Sequence, residues 1–262
     1  MRITLFTSNN NRHNYLINLL SKCCDELFVI QECKNLVKNT INEKKQVSDI
    51  LEIYFSKVND AQNKIFKQDV INKNLKNIKI LSILHGELNK LSLSKLKNFL
   101  NSDIYIVYGS SYIKGELIEL LVKKKAINIH AGVSPYYRGA GCNFWALYDG
   151  NPHLVGATIH LLSKGLDSGP VLYHAMSNLK TNPFEYTMST LKSAFHSVGD
   201  RIKDGYILKI KPVFQNKNKE IRFSKINDFN ENIVTEYFKK DINLNSKNFD
   251  NSLLTEPFFL EK

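Results

Sequence analysis

Residues 103–130 read DIYIVYGSSYIKGELIELLVKKKAINIH. The apolar run Asp103–Tyr108 predicts a strand that ends at Gly109, and Ala126–His130 predicts a second strand. Between them, Ile113–Leu121 carries apolar residues at helical spacing. A strand, a helix and a strand of these lengths form a right-handed crossover in which both strands lie parallel in one sheet. This stretch therefore predicts an α/β fold.

The same alternation extends to both sides of this unit. The further predicted strands are Arg2–Thr7, Asp25–Gln31, Ile78–Leu84 and a hairpin of Gly156–Leu162 with Pro170–Ala175. The further predicted helices lie around Tyr15–Leu20, from Val47 to Phe66, from Leu88 to Leu100, and from Asn182 to Arg201. We therefore expect a doubly wound, mainly parallel sheet with helices on both faces, that is, a Rossmann-like core.

The pattern changes after residue 205. We expect a main domain of residues 1–205 and a short C-terminal extension of residues 206–262, in which Tyr206–Phe214 and Ile221–Phe223 form a β-hairpin followed by irregular chain. An isolated hairpin is only marginally stable in water, so it should pair with another surface. This predicts a homodimer.

Composition excludes several classes of protein. The chain has 262 residues, 43% of them hydrophobic, which suffices for a core and excludes disordered and fibrous proteins. No apolar run is long enough to cross a bilayer, and Met1–Phe6 is too short for a secretory signal, so we expect a cytoplasmic protein. Its cysteines should be reduced packing residues; they lack the paired spacing of a zinc site, and no metal is expected: Cys23, Cys24, Cys33 and Cys142.

The net charge of +11 comes mostly from scattered lysines. Nucleic-acid-binding proteins cluster arginine and aromatic residues on one face, so we expect no nucleic-acid partner. An anionic small substrate would be attracted by the same positive charge.

Ligands of such sheets bind outside the carboxyl ends of the strands. The turn after the first strand lacks the glycines of a dinucleotide-binding fingerprint, so NAD-dependent chemistry is not expected. At the end of the strand Ala126–His130, Asn128 and His130 are two residues apart and point to the same face. A polar pair on so apolar a strand marks a candidate site.

An ordered set of motifs follows this pair. It consists of Asn128-Ile129-His130, Pro135, Arg138-Gly139, Gly156-Ala157-Thr158 and Leu166-Asp167-Ser168-Gly169. Taken alone, Asn-x-His has no specificity, and Asp167 is typical of a turn. Together and in this order, they resemble the 10-formyltetrahydrofolate-dependent formyltransferases. That family includes glycinamide ribonucleotide transformylase, methionyl-tRNA formyltransferase and the nucleotide-sugar N-formyltransferases, and the resemblance covers about residues 1–205.

The resemblance implies a co-substrate, 10-formyltetrahydrofolate, and roles for several residues. Asn128, His130 and Asp167 would be catalytic. The residues expected to border the pterin are Gly109, Ser110, Ser111, Tyr112, Ile113, Ser163, Lys164 and Leu166. Asn11, Arg12 and His13 occupy the turn expected to contact substrate phosphate. For Arg138, phosphate binding and bracing of its loop remain alternatives.

The extension indicates which acceptor to expect. Residues 206–262 are too few for the RNA-binding barrel that follows the catalytic domain in the tRNA enzymes. We therefore expect formyl transfer to a nucleotide-linked amino-deoxysugar, in the synthesis of surface polysaccharides such as lipopolysaccharide O-antigen. The alternatives are another amine, on methionyl-tRNA or glycinamide ribonucleotide, and a non-catalytic folate-binding module.

Overall fold

The computed structural model describes residues 1–34, 48–67, 70–72, 75–178, 180–242, 244 and 251–260. The predicted start of a helix at Val47 lies outside these residues. The strands are β1 (Arg2–Ser8), β2 (Glu26–Cys33), β3 (Ile78–Leu84), β4 (Ile104–Val107), β5 (Ile127–His130), β6 (Tyr137–Gly139), β7 (Ala157–Leu161), β8 (Val171–Met176), β9 (Arg222–Ser224) and β10 (Phe258–Phe259). The α-helices are α1 (Asn11–Leu20), α2 (Asp49–Phe66), α3 (Leu93–Leu96), α4 (Gly115–Lys123), α5 (Cys142–Tyr148), α6 (Pro183–Lys203) and α7 (Glu231–Lys239).

Eight of the described strands form one sheet in the order β10-β8-β7-β5-β4-β1-β2-β3. The pairs from β5 through β4, β1 and β2 to β3 are parallel, whereas β7 runs antiparallel to both β5 and β8. The chain moves outward in one direction from β1 to β3 and in the other from β1 to β4 and β5. This reversal beside β1 is the point where α/β sheets bind ligands. The predicted doubly wound, mainly parallel fold is confirmed.

The two faces of the sheet bury separate sets of side chains. Ile3 and Leu5 of β1 join a cluster with Phe195 of α6, whereas Phe6 faces a cluster with Leu117 of α4. This alternation follows from the period of two along a strand. Long α6 begins at a defined cap, because the Asn182 side chain accepts hydrogen bonds from the backbone N–H groups of Phe184 and Glu185.

The helix predicted from Leu88 to Leu100 is wrong. The structure has a 3₁₀ turn, Leu88–Lys90, and then the one-turn helix α3. Ser92 separates them in an extended conformation, with φ −69° and ψ 153°. Serine favours the position before a helix start, which interrupts an otherwise regular apolar pattern.

The predicted β-hairpin in the C-terminal extension is also wrong. Its first arm contains the 3₁₀ turn Tyr206–Leu208, and only Val213 makes a bridge, to Val171 of β8. Its second arm becomes β9, which pairs in parallel with β6 of the main domain. Since the extension pairs within its own chain, the unpaired hairpin that motivated the homodimer does not exist, and the dimer stays a prediction.

Two findings concern the predictions from composition. Within the described ranges, no helix combines the length and the apolar character needed to cross a membrane. The four cysteines are free thiols, two of them buried.

Two buried histidines make stability depend on pH. His174 of β8 contacts Ser134 O through Nε2 (2.8 Å) and accepts from Thr255 N–H through Nδ1 (2.8 Å). His160 of β7 is 1% exposed. Burial lowers the pKa of each to about 4 from its ordinary value of 6.5. Each therefore stabilises the fold fully above pH 6.5, and this stabilisation is lost as the pH falls toward 4.

We expect the free energy of unfolding to fall by about 2 kcal/mol per histidine between pH 7 and pH 5, because the unfolded chain gains protons that the folded chain does not bind. Urea unfolding followed by circular dichroism at both pH values measures this change. The variant His174→Gln should lose its own share of the pH dependence, about 2 kcal/mol. A stability that is equal at pH 7 and pH 5 would contradict the assignment of neutral, buried rings.

Candidate active site

His130 and Asp167 form a pair at the carboxyl end of β5. His130 Nδ1 lies 3.3 Å from Asp167 Oδ1, and the two side chains are only 7% and 9% exposed. The other ring nitrogen, Nε2, lies 3.3 Å from Tyr137 O in β6. A protonated imidazole ring can donate to both oxygens at once. The pair can therefore hold and move a proton beside a bound ligand.

The loop between β7 and β8 carries Asp167 in a constrained conformation. Asp167 has φ +48°, which is uncommon for a residue with a side chain but tolerated by aspartate. Its Oδ2 accepts from Gly139 N–H (3.2 Å). Gln215, in the C-terminal extension, donates through Nε2 to the backbone oxygens of Asp167 (2.9 Å) and Gly169 (2.7 Å). Asp167 is thus fixed by three separate segments: His130 and Gly139 contact its carboxylate, and Gln215 holds its backbone.

Strand β6 contacts both members of this pair, through Tyr137 O and Gly139 N–H. It is itself held by β9, where Ser224 O accepts from Ala140 N–H (2.9 Å). A Cβ atom added to Gly139, which has φ +92°, would lie 2.1 Å from Ser224 O. Only glycine allows this close approach of the two backbones. The extension beyond residue 205 therefore shapes the candidate site.

An ion pair fastens β9 to the main domain. Arg222 donates from Nε and Nη2 to both oxygens of Asp149, at 2.9 and 2.7 Å. Its guanidinium also lies 4.4 Å from the centroid of the Trp145 ring. Tyr137 hydroxyl donates to the same Asp149 carboxylate (3.3 Å), so the ion pair also supports β6.

His160 orients Asn128, a role that the sequence analysis did not find. The two residues lie opposite each other on β7 and β5, and Asn128 Nδ2 is 3.0 Å from His160 Nε2. His160 Nδ1 lies 2.8 Å from Leu161 O and donates to it. Burial keeps this ring neutral, so Nε2 accepts from the amide and fixes which end of Asn128 is the donor. The sequence does offer a clue to this role, because His160 is a polar residue on the otherwise apolar strand β7, as Asn128 is on β5.

A cavity of about 690 Å³ lies outside the carboxyl ends of β1, β4 and β5. Most of the predicted site residues line it: Arg12, His13, Gly109, Ser110, Ser111, Tyr112, Ile113, Asn128, His130, Ser163, Leu166 and Asp167. The structure therefore brings together the three candidate catalytic side chains and both candidate pterin walls.

Three predicted site residues direct their side chains to other partners. Asn11 donates to Asn63 Oδ1 (2.7 Å), and Lys164 pairs with Glu119 (3.0 Å) on the surface. Arg138 binds Glu220 (2.8 Å) and donates to Leu166 O (2.7 Å). Of the two alternatives for Arg138, this geometry corresponds to bracing of the loop.

Arg12 and His13 lie in the first turn of α1, at the edge of the cavity. Arg12 donates from Nη1 to Gln62 Oε1 (2.7 Å), while its buried Nε has no hydrogen-bond partner among the described residues. His13 accepts from Asn10 N–H (3.2 Å), and burial lowers its pKa well below the ordinary range. A guanidinium and helical N–H groups at this edge suit an anion.

Glu32 is a second residue that the sequence analysis missed. It is fully buried at the end of β2 and accepts from Gly86 N–H (2.8 Å), Ser111 N–H (2.5 Å) and the Ser111 hydroxyl (2.8 Å). These bonds fix the loop of residues 109–113 against the sheet. The sequence does offer a clue to this role, because the apolar strand β2 has two polar residues, Gln31 and Glu32, near its carboxyl end, where such sheets bind ligands.

Comparison with protein families gives one match that spans most of the chain. The sequence pattern of the family described as formyl transferase matches residues 39–204. A methionyl-tRNA formyltransferase from Prochlorococcus marinus is 27% identical over 177 residues, which are 68% of this chain and 46% of that protein. The chain thus spans about half or less of the length of the curated relatives it matches.

Solved structures share the fold at low sequence identity. A sugar N-formyltransferase from Shewanella sp. aligns with a TM-score of 0.54 and 14% identity, over 87% of this chain and 78% of that one. An N-formyltransferase from Helicobacter canadensis, crystallised with folinic acid and dTDP-3-aminofucose, also gives a TM-score of 0.54 at 14% identity, over 90% and 79% of the two chains.

The contact between Gly139 and Ser224 generates a stability prediction. Gly139→Ala should destabilise the protein more than Gly150→Ala, because both glycines have positive φ but only Gly139 approaches a backbone oxygen. The left-handed conformation alone costs about 1–2 kcal/mol for alanine. Urea unfolding of both variants measures the difference. Equal losses in the two variants would show that β9 does not press on β6 in solution.

Proposed function

The chain belongs to the formyl transferase family, and we propose that it transfers a formyl group from 10-formyltetrahydrofolate to the amino group of a nucleotide-linked amino-deoxysugar. The observation that carries this proposal is the buried His130–Asp167 pair, at 3.3 Å, beside the Asn128 amide on one edge of a large cavity. We further propose that the reaction takes place in the cytoplasm and supplies precursors of surface polysaccharides.

In the proposed reaction, the amine nitrogen of the acceptor attacks the formyl carbon and a C–N bond forms. The carbonyl oxygen becomes an oxyanion, which accepts from Asn128 Nδ2 and from His130 Nε2 in place of Tyr137 O. The amine releases a proton, which the His130–Asp167 pair relays to the folate nitrogen as the bond from that nitrogen to carbon breaks. The products are the formamide and tetrahydrofolate.

The cavity supports the choice of donor. The loop of residues 109–113 offers backbone groups on one wall, and Ser163, Gly165 and Leu166 form the other wall. Such walls suit a flat heterocycle that hydrogen-bonds to the backbone. The related fold from Helicobacter canadensis was crystallised with folinic acid, a folate.

Charge supports the choice of acceptor. Arg12 and the start of α1 lie at the cavity edge, and the net charge of +11 attracts an anionic substrate. A nucleotide sugar carries a diphosphate that would bind there, as a guanidinium matches phosphate oxygens. The Helicobacter canadensis protein was crystallised with a substrate of this class, dTDP-3-aminofucose.

Methionyl-tRNA is the second candidate acceptor, because the curated relatives that match in sequence include methionyl-tRNA formyltransferases. The test is a screen of nucleotide-linked amino-deoxysugars, glycinamide ribonucleotide and methionyl-tRNA with the folate donor. We expect tetrahydrofolate release and a product about 28 mass units heavier only with a nucleotide sugar. Turnover of methionyl-tRNA, with steep salt dependence, would favour the second candidate. Folate binding without turnover of any acceptor would indicate a binding module.

Asn128 and His160 should act as one unit. Asn128→Ala should lower kcat about 10²–10³-fold, since it removes an oxyanion donor. His160→Leu should lower kcat in the same direction, because it releases the amide that His160 orients. The double variant should be no worse than Asn128→Ala alone, and His160→Gln, which keeps an acceptor, should recover part of the loss. Steady-state kinetics of the four variants test this. Additive losses would contradict the positioning role.

Arg12→Ala should raise KM for the nucleotide sugar and leave KM for the folate donor unchanged, because Arg12 lies at the proposed phosphate site. The matched control is Arg2→Ala at the opposite end of β1, where Arg2 pairs with Glu26 (3.0 Å). It removes the same charge and should leave both constants unchanged. If Arg12→Ala raises KM equally for the two substrates, the diphosphate of the acceptor does not bind at Arg12.

A further inference from the structure

A buried carboxylate lies behind one wall of the large cavity. Glu32 of β2 stands opposite Ser8, the last residue of β1, and is fully buried. Although β1 separates β2 from β4 in the sheet, the Glu32 side chain reaches past the end of β1 to Ser111, in the loop after β4. It also accepts from Gly86 N–H, after β3. Glu32 therefore connects the carboxyl ends of β2, β3 and β4, where such sheets bind ligands.

The charge of Glu32 has no cation beside it. Among the residues that the structure describes, no lysine, arginine or histidine forms an ion pair with it, and its partners are Gly86 N–H and the N–H and hydroxyl of Ser111. All three partners donate, which fits an ionised carboxylate, since it only accepts. Burying a carboxylate without a cation is costly. Neutral side chains would hold a loop at a lower cost, so the charge itself requires an explanation.

This charge acts on one peptide group of the cavity wall. Ser111 N–H donates to Glu32 Oε2 (2.5 Å), and the peptide bond between Ser110 and Ser111 is trans. The C=O of a trans peptide points opposite to its N–H, so Ser110 O points away from the buried carboxylate. Ser110 lines the large cavity, and no group among the described residues donates to this oxygen. A peptide N–H that donates to an anion is polarised, which makes the carbonyl of that peptide a stronger acceptor.

We propose that Glu32 is a positioning residue for the folate donor, and that its charge, acting through Ser111 N–H, strengthens Ser110 O as the acceptor for an N–H group of the pterin. This inference rests on the proposed function. A pterin carries N–H donors on its amino group and its ring, whereas the phosphates of the acceptor offer oxygens that accept. The strengthened carbonyl therefore favours the pterin and disfavours a phosphate on this wall. Glu32 itself contacts no substrate.

The main test is Glu32→Gln, which keeps the size of the side chain and removes its charge. Its amide NH₂ group also faces one of the three donors, so one of these bonds is lost. We expect KM for 10-formyltetrahydrofolate, and the dissociation constant of tetrahydrofolate measured by titration calorimetry, to rise about three- to tenfold. KM for the nucleotide amino sugar and kcat at saturating donor should stay unchanged, because the groups around His130 are not altered.

Two further variants separate the charge from the shape of the loop. Ser111→Ala removes the hydroxyl bond to Glu32 and keeps Ser111 N–H, so donor KM should rise by a smaller factor than in Glu32→Gln. The matched control is Glu26→Gln, which removes the same charge at the opposite end of β2, where Glu26 pairs with Arg2 (3.0 Å) and Lys79 (2.7 Å). This control should behave like the wild-type enzyme. If Glu32→Gln does not fold, Glu32→Asp carries the test, because its shorter side chain withdraws the charge from Ser111 N–H and should raise the same KM.

The outcomes separate this inference from the proposed function. A folded Glu32→Gln or Glu32→Asp variant with the donor KM of the wild-type enzyme overturns the inference and leaves the proposed function standing. An equal rise in KM for both substrates also overturns it, as does a rise in Ser111→Ala that equals the one in Glu32→Gln, because Glu32 would then only hold the loop in place. A wild-type protein that binds no tetrahydrofolate and transfers no formyl group overturns the proposed function as well.

Discussion

Three residues of β6 connect the parts of this site. Tyr137 O contacts the His130 ring and Gly139 N–H contacts the Asp167 carboxylate, so one short strand positions both ends of the pair. The strand keeps its place because β9 lies directly behind it, at a distance that only glycine at position 139 permits. Arg222 and Asp149 then attach β9 to α5. The geometry of the reacting groups therefore depends on a segment far along the chain.

The same arrangement explains why two cavities meet at one imidazole ring. The parallel sheet opens the large cavity at the carboxyl ends of β1, β4 and β5, as expected for a doubly wound fold. The segment after β5 continues through β6 into α5, whose Phe144 and Leu147 form walls of a second, smaller cavity of about 210 Å³ that His130 also lines. Helix α7 from the extension contributes Tyr237 to it. His130 thus stands between a larger, more polar cavity and a smaller, mostly apolar one.

Much of this could be predicted from local sequence. The strand–helix alternation predicted the sheet, and the spacing of Asn128 and His130 placed both side chains on one face. The errors and omissions concern contacts between distant residues. The tail was predicted as a hairpin because its partner, β6, is only three residues long and far away in sequence. His160 and Glu32 went unassigned, since the role of a buried polar residue is set by the groups around it in the folded chain. The helix prediction for Leu88–Leu100 was wrong for a local reason, because Ser92 ends one turn and precedes the start of α3.

The most direct test of the central claim is the turnover of Asp167→Asn with the folate donor and a nucleotide amino sugar. The substitution keeps the size of the side chain and removes its charge. We predict a loss of about 10²–10⁴-fold in kcat, the range for a group that takes part in proton transfer, with an unchanged midpoint of thermal unfolding. A folded Asp167→Asn variant with the kcat of the wild-type enzyme would contradict the account, because His130 would then work without a carboxylate partner.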